Sequence, residues 1–396
     1  MNNKNKKGIE VSIALSESVK LCRFEAISAY PITPQTHIVE HLSELVAEGE
    51  LAAEFITIES EHSALSACIG ASAAGARTFT STSSQGLELM HEILFIASGL
   101  RMPIVMAVAN RALSAPLSIW NDHGDVMAAR DAGWIQIFCE NGQEAVDSII
   151  IATRFAEDRR VLLPVMVNLD GFILSHVVEP IEFPAQESVD AFLPSYDPLY
   201  TLHPDRPLTM GAYALPELYT EARYAQENAL INSKDVINEV MGEFGKKFGR
   251  EYRVVESYNC EKADTVFVAM GSMNENIMTA IDELKSRGKE AGLVKIRLFR
   301  PFPSEELAEV LSGKKRIIVI DRAMPGGAMN GPVFSEISSL AKIRGLDAIL
   351  SNFILGLGGR DVVPEAFIDI YNESMARTST FVKAAKTNYR IVGVRE

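Results

Sequence analysis

Four uninterrupted apolar runs constrain this chain more than any other feature. Pro103–Ala109 reads PIVMAVA, Val161–Asn168 reads VLLPVMVN, Thr265–Met270 reads TVFVAM and Arg316–Asp321 reads RIIVID. A strand with one wet face alternates apolar and polar residues, whereas a strand buried on both faces does not. Before and between these runs lie segments with helical spacing, such as Thr36–Glu48 with Ile38, Val39, Leu42 and Leu45 on one side. Strands alternating with helices in this way predict α/β architecture, with parallel sheets covered by helices on both faces.

The order of these signals divides the chain into three expected parts. Residues 1–175 read as one α/β domain. Residues 176–250 read as an extended proline-rich connection, with prolines at 180, 184, 194, 198, 204, 207 and 216, followed by a helical segment from Tyr219 to Phe248. Long connections of this kind usually carry function or a partner contact. Residues 251–396 read as a second α/β domain. A chain of 396 residues is long enough for two or three cores.

Composition excludes some classes of function. The formal net charge is −14 at pH 7, which disfavours binding to nucleic-acid phosphates. No apolar stretch is long enough to span a bilayer, and the polar, basic Met1–Lys7 is followed by no signal-like apolar segment, so the expected location is the cytoplasm. The four cysteines, Cys22, Cys68, Cys139 and Cys260, form no CxxC pair, so buried reduced thiols are expected and no metal or cluster ligation by this chain.

Three places bear the residue types that chemistry requires. In Tyr30-Pro31-Ile32-Thr33-Pro34, the flanking prolines restrict the backbone and hold the Thr33 hydroxyl in place. Glu59-Ser60-Glu61-His62-Ser63-Ala64 sets two carboxylates at the mouth of a helix of small residues running to Ala76, where the helix dipole favours either acid. Arg111 follows the buried run Pro103–Ala109, at the strand end where open α/β sheets bind ligands, although a surface ion pair would also account for it. The loop Ser114–Asp125 (SAPLSIWNDHGD) would cover that end. Its His123, beside Asp122, reads as a structural hydrogen-bonding group before a proton shuttle. Ser83-Ser84-Gln85-Gly86 opens another helix and is also an adequate cap.

Taken together, the Tyr-Pro-Ile-Thr-Pro loop, the Ser60-Glu61-His62-Ser63-Ala64 run and Asn110-Arg111-Ala112 resemble the thiamine-diphosphate-dependent 2-oxoacid:ferredoxin oxidoreductases. Phe172-Ile173-Leu174-Ser175-His176 and Arg206-Pro207-Leu208-Thr209 extend the likeness over nearly the whole chain, which is similar to the alpha subunit of the multi-subunit members. The resemblance implies a pyrimidine-binding domain over 1–175 and a transketolase C-terminal-like domain over 251–396. It implies oxidative decarboxylation of a 2-oxoacid, most simply pyruvate, with coenzyme A and ferredoxin.

The resemblance also implies roles. Glu61, rather than Glu59, would activate thiamine diphosphate; Thr33 and Arg111 would bind the substrate carboxylate; Ile119, Ser84 and Gln85 would contact the cofactor. No Gly-Asp-Gly followed by Asn for Mg²⁺ and diphosphate is present, nor a GxxxxGK[ST] loop. The diphosphate and Mg²⁺ site is therefore expected on a beta subunit, and [4Fe-4S] clusters on gamma and ferredoxin-like delta subunits. Apolar Leu117, Ile119 and Trp120 disfavour a dicarboxylate substrate. A branched 2-oxoacid such as 2-oxoisovalerate remains open, as does a non-catalytic assembly role.

Overall fold

The computed structural model describes residues 6–380 and 387–395. Its main sheet has seven strands in the order Leu298–Arg300, Ile135–Phe138, Val165–Asp170, Val105–Asn110, Thr78–Thr82, Ala26–Ser28 and Glu54–Ile56. All neighbours are parallel except the first pair. The second sheet has six strands in the order Tyr389–Ile391, Ile349–Ile354, Arg316–Asp321, Thr265–Ala269, Gly292–Ile296 and Val255–Tyr258, antiparallel only in its last pair. The expected α/β class with parallel-rich sheets is what the chain adopts. Every residue of Val105–Asn110, Val165–Asp170 and Thr265–Ala269 is buried, as their unbroken apolar runs require.

The strand Leu298–Arg300 comes from the second half of the sequence yet pairs with Ile135–Phe138 of the first sheet, Leu298 opposite Ile137 and Arg300 opposite Gln136. A second weld lies at the carboxyl ends of the strands. There Asp170 is buried, with His123 Nε2 at 2.7 Å and Arg322 Nη1 at 3.0 Å from its carboxylate. Ser272 donates to the same carboxylate through its backbone N–H (3.0 Å) and its hydroxyl. Burial alone would raise the Asp170 carboxyl, but Arg322 and His123 outweigh it and hold the group well below the carboxylate range.

Two readings of the connection need correction. Its start is not structureless: Val178–Glu182 forms a strand antiparallel to Lys6–Glu10, and Gln186–Phe192 is a short helix. The prolines hid both, since Pro180 sits in a two-stranded ribbon whose open edge tolerates a missing donor. The later helix begins at Pro216, whose missing N–H costs nothing at a first turn, and ends at Gly249 with φ 72°. Its second half buries Val236, Ile237, Val240 and Phe244, while Leu218, Tyr219 and Tyr224 near its start are exposed. All four cysteines are buried and unbridged, and burial pushes the Cys22 and Cys68 thiols up to about 12.

Candidate active site

Glu61 is the first residue of the helix Glu61–Ala73, and Ser60 caps that helix by accepting from the Ser63 N–H at 3.3 Å. The Glu61 side chain is only 7% exposed, and its carboxyl takes no hydrogen bond among the described residues. Glu59 differs on both counts. It is exposed and already accepts from the Ser63 hydroxyl, a bond that lowers its pKa. Two carboxylates two residues apart thus have unlike jobs, one completing a helix start and one held buried and unpaired.

Facing Glu61 is the start of the helix Ser84–Leu89. A methyl group on Gly86 would come within 2.8 Å of Glu61 Oε1 and 2.5 Å of Thr82 Oγ1, so only glycine admits this approach. Thr82 Oγ1 is itself buried without a partner. A carboxyl and a hydroxyl, both unpaired among the described residues, thus converge closely on one glycine.

Arg111 emerges directly after Asn110, the last residue of the strand Val105–Asn110. Its guanidinium is buried and oriented by three acceptors: Ser118 O at 3.0 Å, Thr33 O at 2.8 Å and Gln85 Oε1 at 3.0 Å. Of the five N–H groups a guanidinium carries, two remain for a ligand. Burial lowers the Arg111 pKa and nearby Asp125 partly offsets this, with the group still cationic at any working pH.

The structure brings Thr33, Gln85 and Arg111 together, and Gln85 adjoins the Gly86 that touches Glu61. Thr33 contributes its carbonyl to Arg111 and leaves its side chain exposed. Ile119 is 40% exposed, one residue beyond the Ser118 carbonyl that holds Arg111. Ser84 stands apart from these. It is wholly buried, and its hydroxyl lies 2.7 Å from Ala112 O and 2.6 Å from Gln85 Oε1. These two contacts place its hydroxyl on the turn.

The covering loop is clasped from the second sheet's side. Asp122 accepts from Gly124 N at 2.9 Å and Gly358 N at 3.2 Å, and Gly359 N donates to Asn121 O at 2.6 Å. His123 and Asp122 are thus both structural. Asp125, which the sequence did not single out, is buried and accepts from Ser84 N (3.1 Å), Arg111 N (3.0 Å), Val126 N (2.8 Å) and Asn110 Nδ2 (3.2 Å). Its only sequence signal was an acid in the first turn of the short helix Gly124–Ala128.

A further trio, Glu10, His37 and His176, lies beyond Phe172, whose ring packs 4.6 Å from His176 and 4.7 Å from Trp120 of the covering loop. Glu10 Oε1 is 2.6 Å from His37 Nδ1, and the two imidazoles pack at 4.5 Å between centroids. Glu10 and His37 thus share a hydrogen bond, with the His176 ring packed against it.

Comparison with known proteins identifies the family. The family model described as pyruvate flavodoxin/ferredoxin oxidoreductase, thiamine diphosphate-binding, matches residues 17–242, and pyruvate:ferredoxin oxidoreductase core domain II matches 263–367. The chain belongs to the pyruvate flavodoxin/ferredoxin oxidoreductase family. It is 50% identical over 378 residues to the pyruvate synthase subunit PorA of Methanothermobacter thermautotrophicus, covering 95% of this chain and 97% of that one. It is 45% identical to the ketoisovalerate oxidoreductase subunit VorA of Pyrococcus horikoshii, covering 91% of each. A solved 2-oxoglutarate:ferredoxin oxidoreductase from Magnetococcus marinus shares the fold at a TM-score of 0.71 and 19% identity, over 94% of this chain and 66% of that chain.

Proposed function

We propose that this chain is the alpha subunit of a pyruvate synthase, converting pyruvate and coenzyme A to acetyl-CoA and CO2 with reduction of ferredoxin, or the reverse. The single observation that carries the reading is the buried, unpaired Glu61 carboxyl, joined through the Ser84–Gly86 turn to an Arg111 with two free N–H groups. Thiamine diphosphate, when bound, supplies a nucleophilic carbon at C2. Glu61 would hold and exchange a proton at the N1′ nitrogen of its aminopyrimidine, which a carboxyl shielded from water does better than an exposed one. The bare Cα of Gly86 lets the turn close directly onto the Glu61 carboxyl.

Arg111 would grip the 2-oxoacid carboxylate in bidentate fashion with its two remaining N–H groups, and the Thr33 hydroxyl would donate to the same carboxylate. Gln85 keeps the guanidinium from turning away. Ile119 and Trp120, both partly exposed on the covering loop, would shield the reacting carbon from water. The chain's lack of a diphosphate motif supports a beta subunit that brings that half and Mg²⁺, with gamma and delta subunits carrying the [4Fe-4S] clusters. Tyr200 and Tyr213 of the connection, 68% and 87% exposed, support contact with such subunits there. Among the described residues no helix is long and apolar enough to cross a membrane, consistent with a cytoplasmic complex.

The relative acting on ketoisovalerate is nearly as similar as those acting on pyruvate, which favours 2-oxoisovalerate as the second reading. The test is viologen reduction by the anaerobically purified complex, dependent on coenzyme A, across pyruvate, 2-oxoisovalerate and 2-oxoglutarate. Pyruvate preference is expected. Preference for another acid moves the substrate, and inactivity with all three despite bound cofactor and clusters identifies an assembly subunit.

A further inference from the structure

We propose that Asp125 is the positioning residue that couples the two arms of the site, holding the Arg111 backbone and the Ser84–Gly86 turn on one carboxylate. The proposal rests on the roles given above to Glu61 and Arg111, and goes beyond them by naming what sets their separation. One oxygen, Oδ2, accepts from both Ser84 N at 3.1 Å and Arg111 N at 3.0 Å. These donors belong to segments more than 20 residues apart in sequence, one leading to Gly86 and Glu61, the other to the substrate cation. The second oxygen, Oδ1, is fixed by Val126 N at 2.8 Å and Asn110 Nδ2 at 3.2 Å, so the carboxylate cannot rotate without losing a donor on each side.

The arrangement needs an acceptor with two equivalent oxygens. An amide in its place would offer one oxygen and turn an NH2 toward N–H groups that have no other partner, which leaves buried donors unsatisfied. The Ser84 backbone adds to the demand, because it sits at φ 47°, a conformation that a residue with a side chain holds only when its surroundings fix it. Burial pushes the Asp125 carboxyl up to about 7, with Asp122 adding to the rise, while the N–H groups of Arg111, Val126 and Ser84 oppose it. A fully buried acid kept at that cost, accepting from N–H groups and in no ion pair among the described residues, marks a position where the geometry it imposes matters.

The experiment uses the complex purified with its partner subunits, carrying Asp125→Asn. Three quantities are read: KM for pyruvate, bound thiamine diphosphate, and the rate of hydrogen–deuterium exchange at cofactor C2, which needs no 2-oxoacid. The expected result is a KM raised about tenfold or more, the loss of one charge-assisted contact, and C2 exchange slowed about tenfold, with cofactor content and assembly retained. A merely structural role would lower cofactor content and assembly and leave KM and exchange per bound cofactor unchanged, which overturns the proposal. A raised KM with normal exchange also overturns it, because Asp125 would then serve one arm only.

Should that variant fail to assemble, Asn110→Ala removes a single donor to Asp125 and leaves the carboxylate in place. It is expected to move KM and exchange together, about threefold each by the same reasoning; no movement in either overturns the coupling. Arg111→Ala separates this inference from the reading beneath it. An unchanged KM in that variant overturns the substrate role of Arg111 itself, whereas a raised KM there with a silent Asp125→Asn overturns the coupling alone.

Discussion

At the residue scale, the site depends on how differently two glutamates two positions apart are treated. Glu61→Gln is expected to lower kcat by about a hundredfold or more, the usual range for loss of a positioned acid–base group, while cofactor binding persists. Glu59→Gln should stay within about twofold of the parent, since an exposed side-chain contact is worth only a few tenths of a kcal/mol. Steady-state assay of both variants, with cofactor content measured alongside, decides the assignment. Equal losses would contradict it.

Arg111→Lys belongs to the same scale. A lysine keeps the charge but loses the fork, so KM for the 2-oxoacid should rise about tenfold with little change in bound cofactor. The preference for Glu61 over Glu59 rests on the resemblance, through the run Ser60-Glu61-His62-Ser63-Ala64, since the helix start alone favours either acid. Asp125 was not legible, because its partners are backbone N–H groups of Ser84 and Arg111, and a backbone N–H carries no residue identity. The inward hydrogen bond of Ser84 was not legible either, because its acceptor, Ala112 O, is a backbone carbonyl on another segment.

At the scale of elements, the helix Ser84–Leu89 is placed by what Gly86 lacks. An alanine there would favour the helix by up to about 1 kcal/mol on propensity alone. Its methyl group would nevertheless meet Thr82 Oγ1 at 2.5 Å and Glu61 Oε1 at 2.8 Å, too close to accept without displacement. Gly86→Ala is thus expected to lower the melting temperature, because overpacking costs about 1–3 kcal/mol and outweighs the propensity gain, and to cut kcat at least tenfold, the lower side of the acid–base range. Calorimetry and steady-state assay on the same sample would show both losses; an unchanged kcat would contradict the contact with Glu61.

The strands were legible where they are buried on both faces, as in Val105–Asn110 and Arg316–Asp321. They were not legible where pairing is made by three residues or by a polar run. Leu298–Arg300 is only three residues long and follows the strand Gly292–Ile296 after a single residue, and Lys6–Glu10 (KKGIE) lacks any apolar pattern. Tertiary pairing, not propensity, makes them strands.

At the scale of the whole molecule, Asp170 holds the halves together through His123, Ser272 and Arg322. Its carboxyl is depressed in the folded state, so the stability it contributes is fully present above the unfolded value near pH 4 and drains away as pH falls below it. Asp170→Asn should cost about 3–5 kcal/mol near neutrality, the cost of breaking a buried ion pair on one side. The gap in melting temperature between parent and variant should narrow as pH is lowered from 5 to 3. A gap that stays constant over that range would show that the ionised form is not what the fold prefers.

The borrowed strand Leu298–Arg300 also sets an order of events on the ribosome. The first sheet's other strands have all emerged by Asp170, yet the outer side of Ile135–Phe138 stays bare until about 130 residues more are made. At about 5–20 residues per second that is roughly 6–26 seconds during which an unpaired, apolar edge is available to neighbouring nascent chains. The interval makes chaperone cover during synthesis a property of this topology, and a transcript truncated before Leu298 should yield aggregate where the full-length message yields native chain.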